Sequence, residues 1–308
     1  MSRRDARPPR RRDAAAEAWL QGRPPLEELR AAYPQVWEQV EAEMAGLVAR
    51  GDVEELKAYV HRVAAGGGAA SVEDEVRRQM MVAALRTTCL SLASGGPDGP
   101  VRLGRVEGRV MQRLLFARGL ERKPVSMRWF SLLWPRLRTR RRLMPLVGPK
   151  GVYCFYSREL VAALAREVGD RSCLEIAAGD GTLSRFLREA GVDVTATDDH
   201  SWSSAVEFPD DVVRVDAVTA LRRYEPAVVV CSWPPAGNRF ERAVFTTRSV
   251  QTYVVIASRH EFAAGAFDDY RAQAAFEWAE VPSLSRLVLP PELDSAVYVF
   301  RRRGSTSS

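Results

Sequence analysis

Residues 173–182 read Cys173-Leu174-Glu175-Ile176-Ala177-Ala178-Gly179-Asp180-Gly181-Thr182, and residues 192–199 read Val192-Asp193-Val194-Thr195-Ala196-Thr197-Asp198-Asp199. The first stretch is a short apolar run that breaks at Gly179 and Gly181. It resumes as TLSRFLREA, where apolar residues recur at three- and four-residue steps. That succession predicts a strand, a tight turn and a helix. Glycine lets a backbone turn sharply and approach a ligand closely, and the first turn of the following helix offers free N–H groups. Asp198 closes a second strand 23 residues after Glu175. A carboxylate there can accept both hydroxyls of a ribose.

Outward from this unit the same alternation continues. The runs VVRVDA, AVVVCSW, TYVVIAS, WAEV and AVYVFRR read as strands, with SRELVAALAREV, TLSRFLREA, NRFERAVFTT and FDDYRAQAAF as helices. Strands separated by helices imply a doubly wound, mostly parallel open sheet of seven strands. The last two strands are joined by a Pro-containing loop without a clear helix, which predicts an antiparallel final strand. Asp216 ends the third strand, placed to accept from an adenine amino group. The fourth ends at Cys231-Ser232-Trp233-Pro234-Pro235, where proline stiffens a loop over the sheet edge.

Residues 15–146 read as helical and form an expected N-terminal domain, with 147–303 as the sheet domain. Leu26, Leu29, Val36, Val40, Met44 and Leu47 fall near one stripe. Asp52 caps a short helix that contains His61 and ends at Gly66-Gly67-Gly68, and Ser71 with Asp74 starts a longer one. Further helices are expected over 106–118 and 127–143. Residues 1–14 read as a disordered basic arm and 304–308 as a disordered tail.

The chain has 308 residues, a formal net charge of +6 and 46% hydrophobic residues, enough apolar content to bury a core. No G-x-y or heptad period persists. No apolar run reaches the roughly 18 to 20 residues that span a bilayer, and MSRRDARPPRRRDAAAEAW lacks the apolar core of a signal peptide. Cys89, Cys154, Cys173 and Cys231 are widely spaced and read as reduced thiols of a cytoplasmic protein, not as a zinc site. The charge is uneven. Residues 150–300 hold 15 Lys/Arg against 22 Asp/Glu, whereas residues 1–149 hold 27 against 17. Arg10–Arg12 and Arg136–Arg142 are the main basic clusters. Such clusters are solvated helix faces or sites for phosphate backbones.

The ordered features of residues 150–303 resemble the class I S-adenosylmethionine-dependent methyltransferases. The resemblance implies a Rossmann-like fold, S-adenosyl-L-methionine as cofactor and an acid–x–G–x–G–x–G segment holding its methionine part. Here that segment is Glu175, Ala177, Gly179, Asp180 and Gly181. Ala177 stands where the first glycine is usual, which is tolerable if the turn needs no positive φ there. Asp198, followed by Asp199, matches the ribose clamp. Asp216-Ala217 matches the adenine-edge segment, and Ser232 closes the cofactor side. A nicotinamide dehydrogenase would need a third glycine at Ser184. Trp233-Pro234-Pro235-Ala236 is similar to the Asp/Asn-Pro-Pro-aromatic motif of amino methyltransferases. Trp233 replaces the amide or carboxylate and Ala236 the stacking aromatic, so base methylation is not carried over.

Around this frame, Trp233, Pro234, Tyr153 and His200 are candidate acceptor contacts, and Trp202 a candidate stacking partner for adenine. His260, after the fifth strand, is the histidine best placed as a general base. Tyr156 is expected to bond the cofactor carboxylate or position the acceptor. His61 reads as structural. Trp129, Phe130 and Trp134 lie beside the Arg cluster, an aromatic–basic mixture that can stack RNA bases. The expected acceptor is a small molecule or peptide with an N or O nucleophile, since the acidic half attracts a cationic amine. The alternatives are an RNA methyltransferase and a non-catalytic binding module. No metal and no membrane partner is expected, and the oligomeric state, a homodimer included, is left open.

Overall fold

The apolar stripe read at Leu26, Leu29, Val36, Val40 and Met44 turns inward. The computed structural model describes residues 11–21, 24, 26–50, 71–94, 104–117, 121–202, 206–261 and 263–304. Helices α1 (Arg11–Gln21), α2 (Leu26–Ala32), α3 (Pro34–Arg50) and α4 (Val72–Ser94) gather Leu20, Leu29, Val36, Val40, Val76 and Met80 into one apolar cluster. Pro34 opens α3, where its missing N–H costs nothing. Ser71 accepts the Asp74 N–H at 3.1 Å, and its hydroxyl donates to the Asp74 carboxylate at 2.7 Å, the cap expected from sequence. Glu73, Asp74 and Glu75 complement the positive end of α4. The expected arm 1–14 is only partly within the described residues. Its residues 11–14 belong to helix α1; residues 1–10 lie outside the described residues. The helix after Asp52, His61, the three glycines and residues 305–308 lie outside the described residues.

Next come α5 (Arg105–Leu115), α6 (Met127–Leu133) and α7 (Leu143–Val147). The single helix expected over 127–143 is divided. Pro135 removes a donor, and the chain runs through 3₁₀ turns at Trp134–Arg136 and Arg140–Arg142 before α7. Phe130 and Trp134 stack at 4.8 Å and are buried, so of the three aromatics only Trp129 is exposed. Met111, Leu115, Phe130, Leu143, Met144 and Val147 belong to the same core as the sheet. The boundary expected at 146/147 therefore does not separate two cores. Helices α5 to α7 share the sheet's core, and α1 to α4 gather a second apolar cluster.

Strand β1 (Phe155–Tyr156) leads into α8 (Arg158–Val168), capped by Ser157 Oγ accepting the Leu160 N–H at 3.0 Å. Then follow β2 (Cys173–Ile176), α9 (Thr182–Glu189), β3 (Val194–Asp198), β4 (Val212–Arg214), α10 (Ala217–Tyr224) and β5 (Val228–Ser232). The chain continues through α11 (Glu241–Thr246), β6 (Thr252–Ser258), α12 (Phe267–Ala272), β7 (Phe276–Glu280), α13 (Pro282–Ser285), β8 (Val288–Leu289) and β9 (Ser295–Arg302). The main sheet has seven strands in the order β4-β3-β2-β5-β6-β9-β7. Its first five are parallel, and β9 runs antiparallel to both β6 and β7. This is the doubly wound sheet expected from sequence. β5 and β6 are covered on both faces, hence their near-continuous apolar runs. Three features were not read from sequence: the crossover helix α10, the one-turn helix α13 between β7 and β9, and the small antiparallel pair β1–β8.

Candidate active site

β2 lies at the switch point of the sheet. The chain passes from β2 to β3 and β4 on one side and returns to β5 and β6 on the other. The crevice outside the carboxyl ends of these strands is where such sheets hold ligands, and a cavity lies there. Its floor is the bend after β2. Ala177, Gly179 and Gly181 have φ of 50°, 58° and 66°. The expectation that Ala177 avoids positive φ is therefore corrected: the turn is left-handed there, and the alanine bears the strain. The Ala178 N–H donates to Thr197 O at 3.0 Å, fixing the bend to β3. Gly179 faces open space where a Cβ would stand, so a ligand can lie directly against its backbone. Gly181 does not line the cavity. A Cβ there would meet Val212 Cγ2 at 2.6 Å, so this glycine serves packing of α9 against β4.

Asp198, Asp199 and Asp216 all line the cavity. Asp198 accepts the Gly179 N–H at 2.9 Å on one oxygen and the His200 N–H at 2.8 Å on the other. Each oxygen keeps a further lone pair. Burial pushes this carboxyl up, against the pull of those two N–H groups. Asp199 accepts the Ser201 N–H at 2.8 Å. Asp216 does not end a strand. β4 stops at Arg214, and Asp216 caps α10 by accepting the Thr219 N–H at 3.0 Å. Hydrogen bonds from Thr219 hold its carboxyl below the usual range. Ala217 lines the cavity beside it.

Glu175 is corrected as a ligand contact. It is buried outside the cavity lining and accepts the Ser184 N–H at 2.9 Å and the Ser184 hydroxyl. It thereby fastens β2 to α9. Burial pushes its carboxyl up to about 7, opposed by the Ser184 hydrogen bonds.

Sequence reasoning missed Arg122. It is 7% exposed, lines the cavity, pairs with Asp180 and donates to Cys154 O at 2.9 Å. Its guanidinium lies 5.7 Å from the Tyr156 ring centroid. Burial alone would raise the Asp180 carboxyl; Arg122 and Thr182 overcome it and hold the carboxyl low. No local pattern marks Arg122, because its partner is 58 residues away.

Tyr153, Tyr156, Trp202, Phe208, Trp233 and Phe240 supply aromatic walls. The Tyr156 hydroxyl donates to Ser232 Oγ at 2.8 Å, and burial keeps the phenol protonated. Trp233, at φ 53°, donates its backbone N–H to Ile256 O at 2.7 Å. Pro235, not the expected Pro234, lines the cavity. Pro234 instead accepts the Gly265 N–H at 3.0 Å through its carbonyl. This loop is pinned from behind. Asn238 donates to Pro235 O at 2.8 Å, and buried Glu241 receives hydrogen bonds from Asn238, Tyr253 and Tyr270. Ala236 and Ala263 pack against the α1–α4 bundle.

Two histidines are corrected. His200 does not line the cavity; its ring stacks on Phe208 at 4.0 Å. His260 also stands outside the lining, its Nε2 3.9 Å from Asp294. Cys154, Cys173 and Cys231 are buried free thiols. Among the described residues no helix is long and apolar enough to cross a membrane.

No family model and no curated protein matches the sequence. Similar solved structures include the 23S rRNA methyltransferase ErmE, at 23% identity over 48% of this chain and 69% of that one, with a TM-score of 0.30. A SAM-dependent methyltransferase from Agrobacterium tumefaciens is 14% identical over 47% of this chain and 59% of that one, with a TM-score of 0.28. The plantazolicin methyltransferase BpumL, solved with SAH, is 10% identical over 56% of this chain and 94% of that one, with a TM-score of 0.32. Likenesses of this size say nothing of activity. The chain's own strand order, with β9 reversed between β6 and β7 and a glycine bend at the switch point, gives its sheet domain the fold of the class I S-adenosylmethionine-dependent methyltransferases.

Proposed function

We propose that the protein is an S-adenosylmethionine-dependent methyltransferase that delivers a methyl group to an N or O nucleophile. One observation carries this reading: the left-handed bend at Gly179 and the carboxylates of Asp198 and Asp216 open on a single cavity. The cavity's chemistry fits the cofactor. Gly179 leaves room for close approach. Asp198 keeps lone pairs for ribose hydroxyls, and Asp216, held by the Thr219 N–H and side chain, keeps lone pairs for an amino group. Arg122 and Asp180 offer opposite charges to the two ends of an amino acid. Aromatic faces suit a sulfonium cation.

When bound, the cofactor supplies a methyl group on a positively charged sulfur, an electrophile that needs no further activation. The chain's task is then alignment and exclusion of water, from which most of the rate of such a transfer derives. The Tyr156–Ser232 pair and the Trp233–Pro235 wall set the acceptor side. The lining carboxylates Asp180, Asp198, Asp199 and Asp216 each already accept a backbone N–H. They bind and orient. This arrangement favours an acceptor nitrogen whose lone pair is free at neutral pH.

The test is calorimetry with S-adenosylhomocysteine. The wild type is expected to bind saturably, and Asp198→Ala about 10- to 100-fold more weakly, the worth of one hydrogen bond to a charged group. A wild type that binds none refutes the reading. Labelled S-adenosylmethionine with a fractionated extract then identifies the acceptor.

A further inference from the structure

We propose that the surface built by residues 123–150 docks single-stranded RNA and delivers it to the cavity. The inference rests on the methyltransferase reading for the transfer, but not for the docking. Between Glu121 and Glu159 the chain holds ten Arg/Lys residues and not one Asp or Glu. Both ends of that stretch stand in the cavity wall: Arg122 at one end, Gly151, Tyr153 and Cys154 at the other. The segment leaves the cavity wall at Arg122 and returns to it at Gly151.

The surface has two components. Arg128, Arg136, Arg138 and Arg141 are exposed and form no salt bridge among the described residues; Glu107 accepts the Arg138 N–H at 3.1 Å and lies near its charge. The apolar residues among and just after them, Leu137, Leu143 and Met144, are buried in the core, which turns the cations outward. Trp129 is 57% exposed and Leu132 46%. They stand three residues apart on one face of α6, and the Arg136 guanidinium reaches back to Leu132 O. An open indole beside guanidinium groups is a platform for an unpaired base, with the cations tracking the phosphates. An acidic protein would use the charge but leave the indole without purpose. Duplex would offer no free base face.

The experiment uses the full chain and a fluorescein-labelled mixed-sequence 20-nucleotide RNA, followed by anisotropy from 50 to 200 mM KCl. Four phosphate contacts give a log–log slope near −2.8, about a 50-fold loss over that range. Combining Arg136→Gln, Arg138→Gln and Arg141→Gln is expected to cut affinity at 50 mM at least tenfold. It should also reduce the salt effect to about threefold, the share of one remaining contact. Trp129→Ala is expected to weaken binding at least fivefold with the slope unchanged. Both variants should bind S-adenosylhomocysteine within twofold of wild type, which shows the fold is intact. RNA binding unchanged in the triple variant, or insensitive to salt, overturns the proposal. So does equal competition by DNA of the same sequence or by polyglutamate. Salt-sensitive RNA binding without S-adenosylhomocysteine binding would refute the methyltransferase reading while leaving the docking surface standing.

Discussion

Arg122 and Asp180 meet at 2.5 Å in the cavity wall although they lie on different elements and 58 residues apart. The pair joins the segment before α6 to the bend after β2. Arg122 also reaches Cys154 O and lies over Tyr156, so one side chain ties the three parts of the wall together.

Removing it should therefore cost both stability and binding. Arg122→Gln is expected to lower unfolding free energy by about 2 to 3 kcal/mol, less than for a wholly enclosed pair because the Asp180 side chain retains solvent contact. S-adenosylhomocysteine affinity should fall at least tenfold. Denaturant titration and calorimetry measure the two effects. A variant as stable as wild type would show that the pair is not structural.

Ala177 is the one alanine in the bend at positive φ. Glycine there removes a strain of about 1 to 2 kcal/mol and gives back part of it as unfolded-state entropy. Ala177→Gly is expected to raise the melting temperature by about 2 °C, with S-adenosylhomocysteine binding unchanged. A lower melting temperature would contradict the assigned backbone.

Gly181 predicts the opposite sign. Its φ is 66°, and an added Cβ would collide with Val212. Gly181→Ala is expected to destabilise by about 2 to 3 kcal/mol, combining overpacking with left-handed strain. Val212→Ala in the same chain should restore part of the loss, which thermal unfolding can follow.

Glu175 gives a pH signature. Its carboxyl is pushed up to about 7 in the folded protein, whereas an unfolded chain titrates it near its ordinary value of about 4.3. The folded state thus holds a proton that the unfolded state releases. Its contribution is fully present below the unfolded value and is lost as pH rises through about 7. The loss is on the order of 3 kcal/mol. Glu175→Gln should flatten that part of the stability profile. Urea midpoints at pH 4.5 and 8 for both proteins check it, and identical profiles would mean Glu175 ionises normally.

What could be read before folding was what is written locally. The apolar run at 173–176, the glycines after it and the acid at the end of β3 each follow from a few adjacent residues. So does the reversed β9, from the missing crossover helix. Which core each N-terminal helix joins is not written locally, because helices reveal their period, not their partner; Met111 and Val147 look no different from Val40. Asp216 after an apolar run suits a strand end as well as a helix cap. Glu175 could not be oriented, since only the fold places Ser184 within its reach. The place of His260 in the loop after β6 is legible, but not its neighbour Asp294, which comes from the turn before β9 and, like His260, is outside the cavity lining.

β9 is paired along both sides, by β6 and by β7. It follows β6 and β7 in the chain and yet lies between them. Until Ser295–Arg302 is in place, β6 keeps a bare apolar rim on the side that β9 covers. Any shortened product ending before Ser295 would leave β6 and β7 each with an unpaired margin, and would clump.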